Sequence, residues 1–169
     1  AAPTLVFVPA SEGHLSSSKP FMASADRLTR ALKDALKRPE NRRCADCQEK
    51  APSYCQLEFR TFVCATCAAV HREVFSASKI KSVGMATFTT DEVKAMRAGG
   101  NELARKKWMA NWTSDDMEEP PAGSHRGEIQ LFLEEKYLRK RWTGVGGAAT
   151  TTTTTTAATT AATTRNPPP

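Results

Sequence analysis

The stretch that decides the fold is residues 44–72, CADCQEKAPSYCQLEFRTFVCATCAAVHR. It holds two Cys-x-x-Cys pairs, Cys44 with Cys47 and Cys64 with Cys67. Two residues between cysteines make a tight knuckle that aims both thiolates at one ion, and the loop at 48–63 brings the second knuckle round to complete a tetrahedron. The spacing therefore predicts one structural Zn²⁺ ion with four thiolate ligands, closed to water and to substrate.

Two disulfide or redox pairs are the alternative explanation of the same cysteines. The βαβ pattern that surrounds a redox Cys-x-x-Cys is missing, and an odd total of five cysteines is more typical of metal binding in a reducing compartment. The fifth, Cys55, is expected to pack as a small hydrophobic residue. In a small domain the energy of zinc binding is largely folding energy, so we expect the metal to hold the fold together.

Residues on either side of the knuckles predict short helices and strands. Apolar residues recur at helical spacing over 26–37, where Pro39 ends the pattern, and a strand is predicted at 59–63. A helix at 68–75 and a strand at 79–85 follow. Thr89 and Glu92 have capping-box spacing before a helix that Gly99 and Gly100 end.

The last predicted helices complete the domain. Asn101 is placed to cap a helix at 102–111, and a strong amphipathic pattern predicts a final helix at 127–142, with Glu135 and Arg139 as an i,i+4 ion pair. These elements assign a domain to residues 24–142. The N-terminal segment, 1–23, is poorly defined, and the Gly/Ala/Thr/Pro-rich tail, 143–169, is predicted to be disordered because it buries too little apolar area.

Two residues follow the second knuckle on its predicted helix. His71 lies four residues after Cys67 and so shares its face, where it approaches the metal or its surroundings, although four cysteines leave it no need to be a ligand. Arg72 lies five residues after Cys67, about 140° around the helix, so its guanidinium points away from the metal. The zinc site would position Arg72 without coordinating it.

The overall charge of the chain favours one class of partner but does not identify a particular partner. The chain has 24 basic and 18 acidic residues, a formal net charge of +6, which favours anionic partners such as nucleic acid, phospholipid headgroups or an acidic protein face. No run approaches the ~18 apolar residues that a membrane span needs, so we expect no integral membrane protein. The cysteine pattern favours the cytosol or nucleus.

The pattern Cys-x2-Cys-x16-Cys-x2-Cys-x4-Arg, which ends at Arg72, resembles the signature of the Arf GTPase-activating protein family. A wider resemblance, to the FG-repeat branch and its plant relatives, covers about residues 24–142. It rests on three stretches, the first of which contains that pattern: NRRCADCQEKAPSYCQLEFRTFVCATCAAVHREVF (41–75), KIKSVGMATFTTDEVKAMRAGGNELARKKW (79–108) and FLEEKYLRKRW (132–142). Tyr54 departs from the usual Trp, and residues 75–77 depart from the usual Gly and His.

The resemblance implies an α+β fold, a small zinc-stabilised antiparallel sheet surrounded by helices. It further implies that Arg72 enters the nucleotide site of an Arf-family GTPase in its GTP-bound form and neutralises charge on the transferring phosphoryl group. The chain would then be an activator acting in trans, without independent catalysis. Vesicle trafficking, a cytoplasmic location at vesicle or Golgi membranes and peripheral membrane association are the corresponding expectations, with the nucleus as the alternative location.

Other functions remain open on the sequence. A nucleic-acid-binding zinc finger would use the same cysteines, with phosphate contacts from Arg42, Arg43, Lys79 and Lys81, although the helix after the second knuckle has few groups able to read bases. Lys79 and Lys81 could equally face an acidic GTPase or a membrane. The chain could also be a catalytically degenerate, Arf-binding trafficking adaptor. A recruitment surface made of Phe132, Tyr137 and Trp142 is a further alternative, although core packing is the more ordinary role of such aromatics.

Overall fold

A computed structural model of the chain describes residues 19–144. In this range the chain forms five α-helices and three short strands. They are α1 (Lys19–Leu36), β1 (Tyr54–Gln56), β2 (Thr61–Val63), α2 (Ala65–Val74), β3 (Ile80–Ser82), α3 (Thr90–Ala98), α4 (Asn101–Trp108) and α5 (Arg126–Leu133). The predicted α+β class is confirmed. Of the tail predicted to be disordered, 143–169, residues 145–169 lie outside the described residues.

The three strands form one antiparallel sheet in the order β2-β1-β3, in which Cys55 of β1 pairs with Phe62 and Lys81. Successive side chains of a strand point to opposite faces, so the sheet separates two cores. Phe62 packs into the core between the sheet and helices α1 and α3, together with the fully buried Cys55. Val63 packs on the other side of the sheet, among the four cysteines of the two knuckles and residues of α2, α4 and α5.

The helix ends follow local rules in part. The capping box is confirmed: Glu92 N donates to Thr89 Oγ1 at 3.2 Å, and Thr89 N donates to the Glu92 carboxylate at 2.8 Å. Helix α1 begins at Lys19, earlier than the predicted 26, and a single 3₁₀ turn at Pro39–Asn41 follows it. The predicted strand at 59–63 is shorter, Thr61–Val63.

The predicted capping role of Asn101 is wrong. Asn101 is the first residue of α4, and its side chain reaches β2, an edge strand whose backbone groups need partners. Phe62 N donates to Asn101 Oδ1 at 2.8 Å, and Asn101 Nδ2 donates to Phe62 O at 3.1 Å and to Arg43 O at 2.7 Å. Asn41 instead satisfies the backbone N–H at the start of α4, because its Oδ1 accepts from Asn101 N at 2.9 Å. A buried pair of asparagines thus joins α4 to the sheet.

The predicted helix at 127–142 also differs. Its α-helical part ends at Leu133 and continues as a wider π-helical turn, Glu134–Leu138, while the ion pair between Arg139 and Glu135 is confirmed at 2.6 Å. Neighbouring residues of an α-helix point about 100° apart. Widening the turn allows the adjacent Lys136 and Tyr137 both to be buried and to reach the carboxylate of Asp46.

Gly99, where α3 ends, allows a close approach to Arg60. A Cβ at Gly99 would lie 2.6 Å from the Cβ of Arg60, and Arg60 cannot withdraw easily because its carbonyl accepts from Gly100 N at 2.9 Å. Gly99→Ala is therefore expected to destabilise the domain by about 1–3 kcal/mol, the usual cost of overpacking. The exposed Gly84, with open space around its Cβ direction, provides the control. Urea unfolding should show a lower midpoint for Gly99→Ala only, and equal midpoints would contradict the packing argument.

Within residues 19–144, no helix combines the length and apolarity required to cross a bilayer.

Candidate zinc centre and arginine site

The four cysteines of the two knuckles come together in the structure. All four are buried, their sulfur atoms lie within 4.8 Å of one another, and Cys47 Sγ is 3.5 Å from Cys64 Sγ. Four thiolates at ~2.3 Å from one zinc ion would lie roughly 3.8 Å apart, so the cluster fits a tetrahedral site. The cysteines are free, and 3.5 Å is far from a disulfide bond of ~2.05 Å. The cluster is a zinc site, and the disulfide alternative is not supported.

Electrostatics within the cluster also favour a cation. Burial first, and then hydrogen bonds with Cys47 and Cys64, raise the pKa of Cys44 well above its ordinary value, and hydrogen bonds with the other three cysteines raise the pKa of Cys67. Hydrogen bonds within the cluster lower the pKa of Cys64, and the one with Cys44 is the largest cause of a lowered pKa of Cys47, so two thiols ionise readily while the other two hold their protons. The cluster alone therefore resists carrying four negative charges together. A bound divalent ion reverses this, because coordination deprotonates a thiol outright.

Backbone donors fix the positions of the sulfur atoms. Cys64 N donates to Cys44 Sγ at 3.3 Å, and Cys67 N donates to Cys64 Sγ at 3.4 Å as the N-cap interaction of α2. The second knuckle is therefore also the start of α2. The orientation of this helix, and of everything on it, follows from the geometry of the zinc site.

A buried polar cluster around Asp46 was not predicted from the sequence. Asp46 lies inside the first knuckle and is fully buried. Its Oδ1 accepts from Lys136 Nζ at 2.8 Å and from Tyr137 Oη at 2.9 Å, and its Oδ2 accepts from His71 Nε2 at 2.9 Å. Burial by itself would raise the pKa of Asp46, but Lys136 and His71 outweigh it and hold the pKa below its ordinary range. His71 thus contacts the knuckle through Asp46, in agreement with its predicted position.

The Asp46 cluster joins three separate parts of the chain: the first knuckle, α2 and the π-helical turn. One sequence signal for it existed, because Lys136 occupies a core position of the amphipathic pattern that includes Phe132 and Leu133. A lysine on the apolar face of a helix needs a buried acid as its partner. The sequence could not identify which acid.

Removing the cation of this cluster should be costly. Lys136→Met is expected to lower the free energy of unfolding by about 3–5 kcal/mol, because it leaves the Asp46 carboxylate buried without its lysine. The double variant Asp46→Asn/Lys136→Met should recover part of that loss, since it removes both charges. Urea unfolding in zinc-containing buffer measures the loss for the double variant and for each single variant, Lys136→Met and Asp46→Asn. A double variant that loses the sum of the two single losses would contradict the pairing.

Arg72 projects from the outer side of α2. Its side chain is exposed, in contrast to the buried Cys67 and His71, and its guanidinium carbon lies 5.6 Å from the centre of the Tyr54 ring. The neighbouring Glu73 is already paired with Arg126. Across the described part of the chain, no carboxylate forms an ion pair with Arg72, so its charge is positioned but not neutralised.

The inner side of α2 rests on a cluster of rings. Phe59 stacks on Tyr137 with centroids 4.1 Å apart and contacts His71, Phe75 and Trp108 edge-on or tilted at 5.3–5.9 Å. Phe75, one of the residues that departs from the family pattern, is part of this cluster and packs 5.4 Å from His71. Phe75 therefore packs the C-terminal end of α2, just beyond Arg72, against the ring cluster.

The alternative functions find less support in this arrangement. Arg42 and Arg43 line a concavity beside the end of α1, whereas Lys79 lines a different one among three acidic residues, and Lys81 is paired with Glu92 at 2.7 Å. The four basic residues thus do not form one phosphate-binding face. The alternative of an aromatic recruitment surface is wrong, because the three side chains are buried in the core: Phe132, Tyr137 and Trp142.

The fold and the four-cysteine centre define a zinc-finger domain whose metal is structural and whose second knuckle begins an arginine-bearing helix. Comparison with known families is specific: the ArfGap family, described as "Putative GTPase activating protein for Arf", matches residues 29–146. The chain belongs to the ArfGap family.

Relatives and solved structures agree with this assignment. The chain is 33% identical over 123 residues to "Probable ADP-ribosylation factor GTPase-activating protein AGD14" of Arabidopsis thaliana, covering 73% of this chain and 18% of the relative. It is 31% identical to the human "Arf-GAP domain and FG repeat-containing protein 1", covering 69% of this chain and 21% of the relative. The chain thus spans about a fifth of these relatives. The solved "ArfGap domain of HIV-1 Rev binding protein" superposes with a TM-score of 0.68 at 29% identity, over 75% of this chain and 94% of that domain.

Proposed function

We propose that this chain is a GTPase-activating domain for an Arf-family small GTPase and that Arg72 is its arginine finger. The observation that carries the proposal is the placement of Arg72: exposed on α2, uncompensated by any carboxylate among the described residues, and five positions beyond the zinc ligand Cys67. The family to which the chain belongs, and the names of its relatives, support an Arf-type GTPase as the partner.

The chemistry required of Arg72 is electrostatic. Its planar fork can donate to two phosphate oxygens together and neutralise charge that develops during phosphoryl transfer. Tyr54 holds the guanidinium by a cation–π contact worth only about 0.5–1 kcal/mol at an exposed site, so the side chain can leave for a phosphate at small cost. The zinc ion, when bound, cross-links the knuckles that orient α2. Nucleotide, Mg²⁺ and attacking water belong to the GTPase.

The GTP-bound form is the proposed partner state, because only that form carries the phosphoryl group on which the arginine acts. We propose peripheral membrane association and a cytoplasmic location at vesicle or Golgi membranes, with the nucleus as the alternative. The net charge of +6 supports an anionic surface as one partner.

Single-turnover GTP hydrolysis by an Arf-family GTPase, measured with and without the chain, tests the proposal. Faster hydrolysis that saturates with added chain is the expected result. Saturable binding to the GTP-bound GTPase without faster hydrolysis would instead identify a degenerate adaptor. Salt-sensitive binding to RNA or DNA, with no effect on the GTPase, would favour the nucleic-acid-binding alternative.

A further inference from the structure

A concavity of about 550 Å³ lies between the end of α1 and the first cysteine knuckle. Its volume is within the range of about 300–1,000 Å³ that is usual for small-ligand sites. Every charged residue that lines it is basic: Lys37, Arg42, Arg43 and Lys50. A concave site with charge of one sign concentrates the electrostatic field and attracts a ligand of the opposite sign.

Most of these charges are positioned without being neutralised. In the described range, no carboxylate lies within 4.0 Å of the basic groups of Arg42, Arg43 or Lys50. Backbone carbonyls hold the two arginines instead: Arg42 Nε donates to Lys37 O, and Arg43 Nη1 donates to Gln48 O, both at 3.2 Å. Each guanidinium therefore keeps N–H donors for a ligand. Lys37 is paired with Asp34 at 2.8 Å, but both side chains are solvent-exposed and such pairs are weak.

The wall of the concavity is a preformed hairpin. Arg43 and Lys50 pair as an antiparallel bridge, and Ala51 N donates to Arg42 O at 3.0 Å. Gln48 and Ala51 have positive φ angles of 58° and 53°, an unusual conformation for residues other than glycine. The zinc knuckle lies inside this hairpin and fixes its turn, so a ligand would meet basic groups that are already in place.

One feature favours a phosphorylated ring, and another favours its lipid form over a free anion. The lining includes apolar groups of Leu36, Ala51 and Pro52, which suit the C–H face of a ring between phosphates. Exposed basic residues also continue from Lys37, just beyond the end of α1, back to Lys33 and Arg30 on the helix, about 10 Å at 1.5 Å per residue, with one acidic neighbour, Asp34, on the same face. A small soluble anion fills the concavity alone, whereas a bilayer can contact this face of α1 as well.

We propose that this concavity, lined by Lys37, Arg42, Arg43 and Lys50, binds the phosphorylated headgroup of an inositol-class membrane lipid while the basic face of α1 lies along the bilayer. The inference rests on the proposed membrane association and gives it a site. It is independent of Arg72 and of GTP hydrolysis, so its test contains no GTPase and each proposal can fail alone.

Vesicle sedimentation of the full chain with bound zinc provides the test. Phosphatidylcholine vesicles containing phosphatidylinositol bisphosphate are compared with vesicles that carry the same charge as phosphatidylserine. Lys50→Glu is compared with Lys94→Glu, which makes the same charge change on α3 at an exposed residue outside the concavity. At about fivefold in partitioning per basic group at an anionic surface, Lys50→Glu should weaken binding roughly 20-fold and Lys94→Glu less than about threefold.

Tighter binding to the phosphorylated inositol lipid, lost in Lys50→Glu and kept in Lys94→Glu, is the expected result. Equal binding to both vesicle types, or equal losses in the two variants, would overturn the site. If soluble inositol hexakisphosphate bound as tightly as the vesicles and displaced the chain from both lipids alike, the lipid assignment would be overturned in favour of a free polyanion. Tighter binding to a short RNA duplex, equally sensitive to Lys50→Glu, would replace the lipid by nucleic acid.

Discussion

Replacing Arg72 by alanine is expected to reduce the stimulated rate of GTP hydrolysis by about 10³- to 10⁵-fold, the usual contribution of an arginine finger. Arg72→Lys should lose most of the same effect, because an ammonium group carries the charge but lacks the planar fork for two phosphate oxygens. The measurement is single-turnover hydrolysis by an Arf-family GTPase at saturating concentrations of the chain, so that weaker binding does not imitate slower chemistry.

Controls separate catalysis from folding and docking. Arg97→Ala removes another exposed helical arginine, on α3, and should stimulate hydrolysis like the unmodified chain. Affinity for the GTP-bound GTPase should change far less than the rate in Arg72→Ala, since Arg72 acts on the transition state. Stimulation at the normal rate by both Arg72 variants would exclude Arg72 from the mechanism.

Loss of the zinc ion is the second large effect expected. Cys64→Ser should abolish stoichiometric zinc binding and unfold the domain, because binding energies of about 10–16 kcal/mol in zinc-finger peptides match or exceed the whole stability of a typical domain. Cys64 contributes one of the four ligands and lies 3.5 Å from Cys47 Sγ. A serine in its place can still cap α2, but its neutral hydroxyl does not replace a thiolate ligand of zinc. Circular dichroism and elemental analysis for one zinc ion per chain check this result. A strong chelator should produce the same unfolding.

Cys55→Ala is the matched control for removal of a cysteine. Cys55 is buried in the core on the other side of the sheet and does not belong to the metal cluster. Its burial, with a smaller effect of Glu92, raises its pKa to about 12, which keeps it a neutral thiol at physiological pH. Cys55→Ala should retain one zinc ion and the fold, with only a small loss of stability. A folded Cys64→Ser protein without zinc would contradict the structural role of the metal.

Local sequence rules predicted those features that depend on neighbours along the chain. The Cys-x-x-Cys spacing identified the ligands of the metal, and the capping box of Thr89 and Glu92 placed the start of α3. Each knuckle and the capping box depend on residues within one turn of each other, where geometry is nearly fixed by the backbone. The helical position of Arg72 relative to Cys67 was predictable for the same reason.

The residues that the sequence could not place act across the fold. Asn101 has the chemistry of a cap, but the unpaired edge of β2 competes for its side chain and the structure uses it there. In the sequence Asp46 looks like an ordinary polar residue of a knuckle. Only the folded domain brings Lys136 and Tyr137, which are distant in sequence, into hydrogen-bonding contact with its carboxylate. The π-helical turn that admits both residues has no local sequence signature. Such features depend on the packing of distant elements, which periodicity does not encode.

The contact between Asp46 and Lys136 limits how this module can be inherited. The two residues are 90 positions apart, with nearly the whole domain between them. A gene rearrangement or splice variant that carried the cysteines and Arg72 but not the last helix would transfer a buried carboxylate without its cation. The metal ligands would be complete, but the uncompensated buried carboxylate would lower the stability of the product. We therefore expect coding sequences to exchange this unit whole, and the knuckles and the final helix to be gained or lost together.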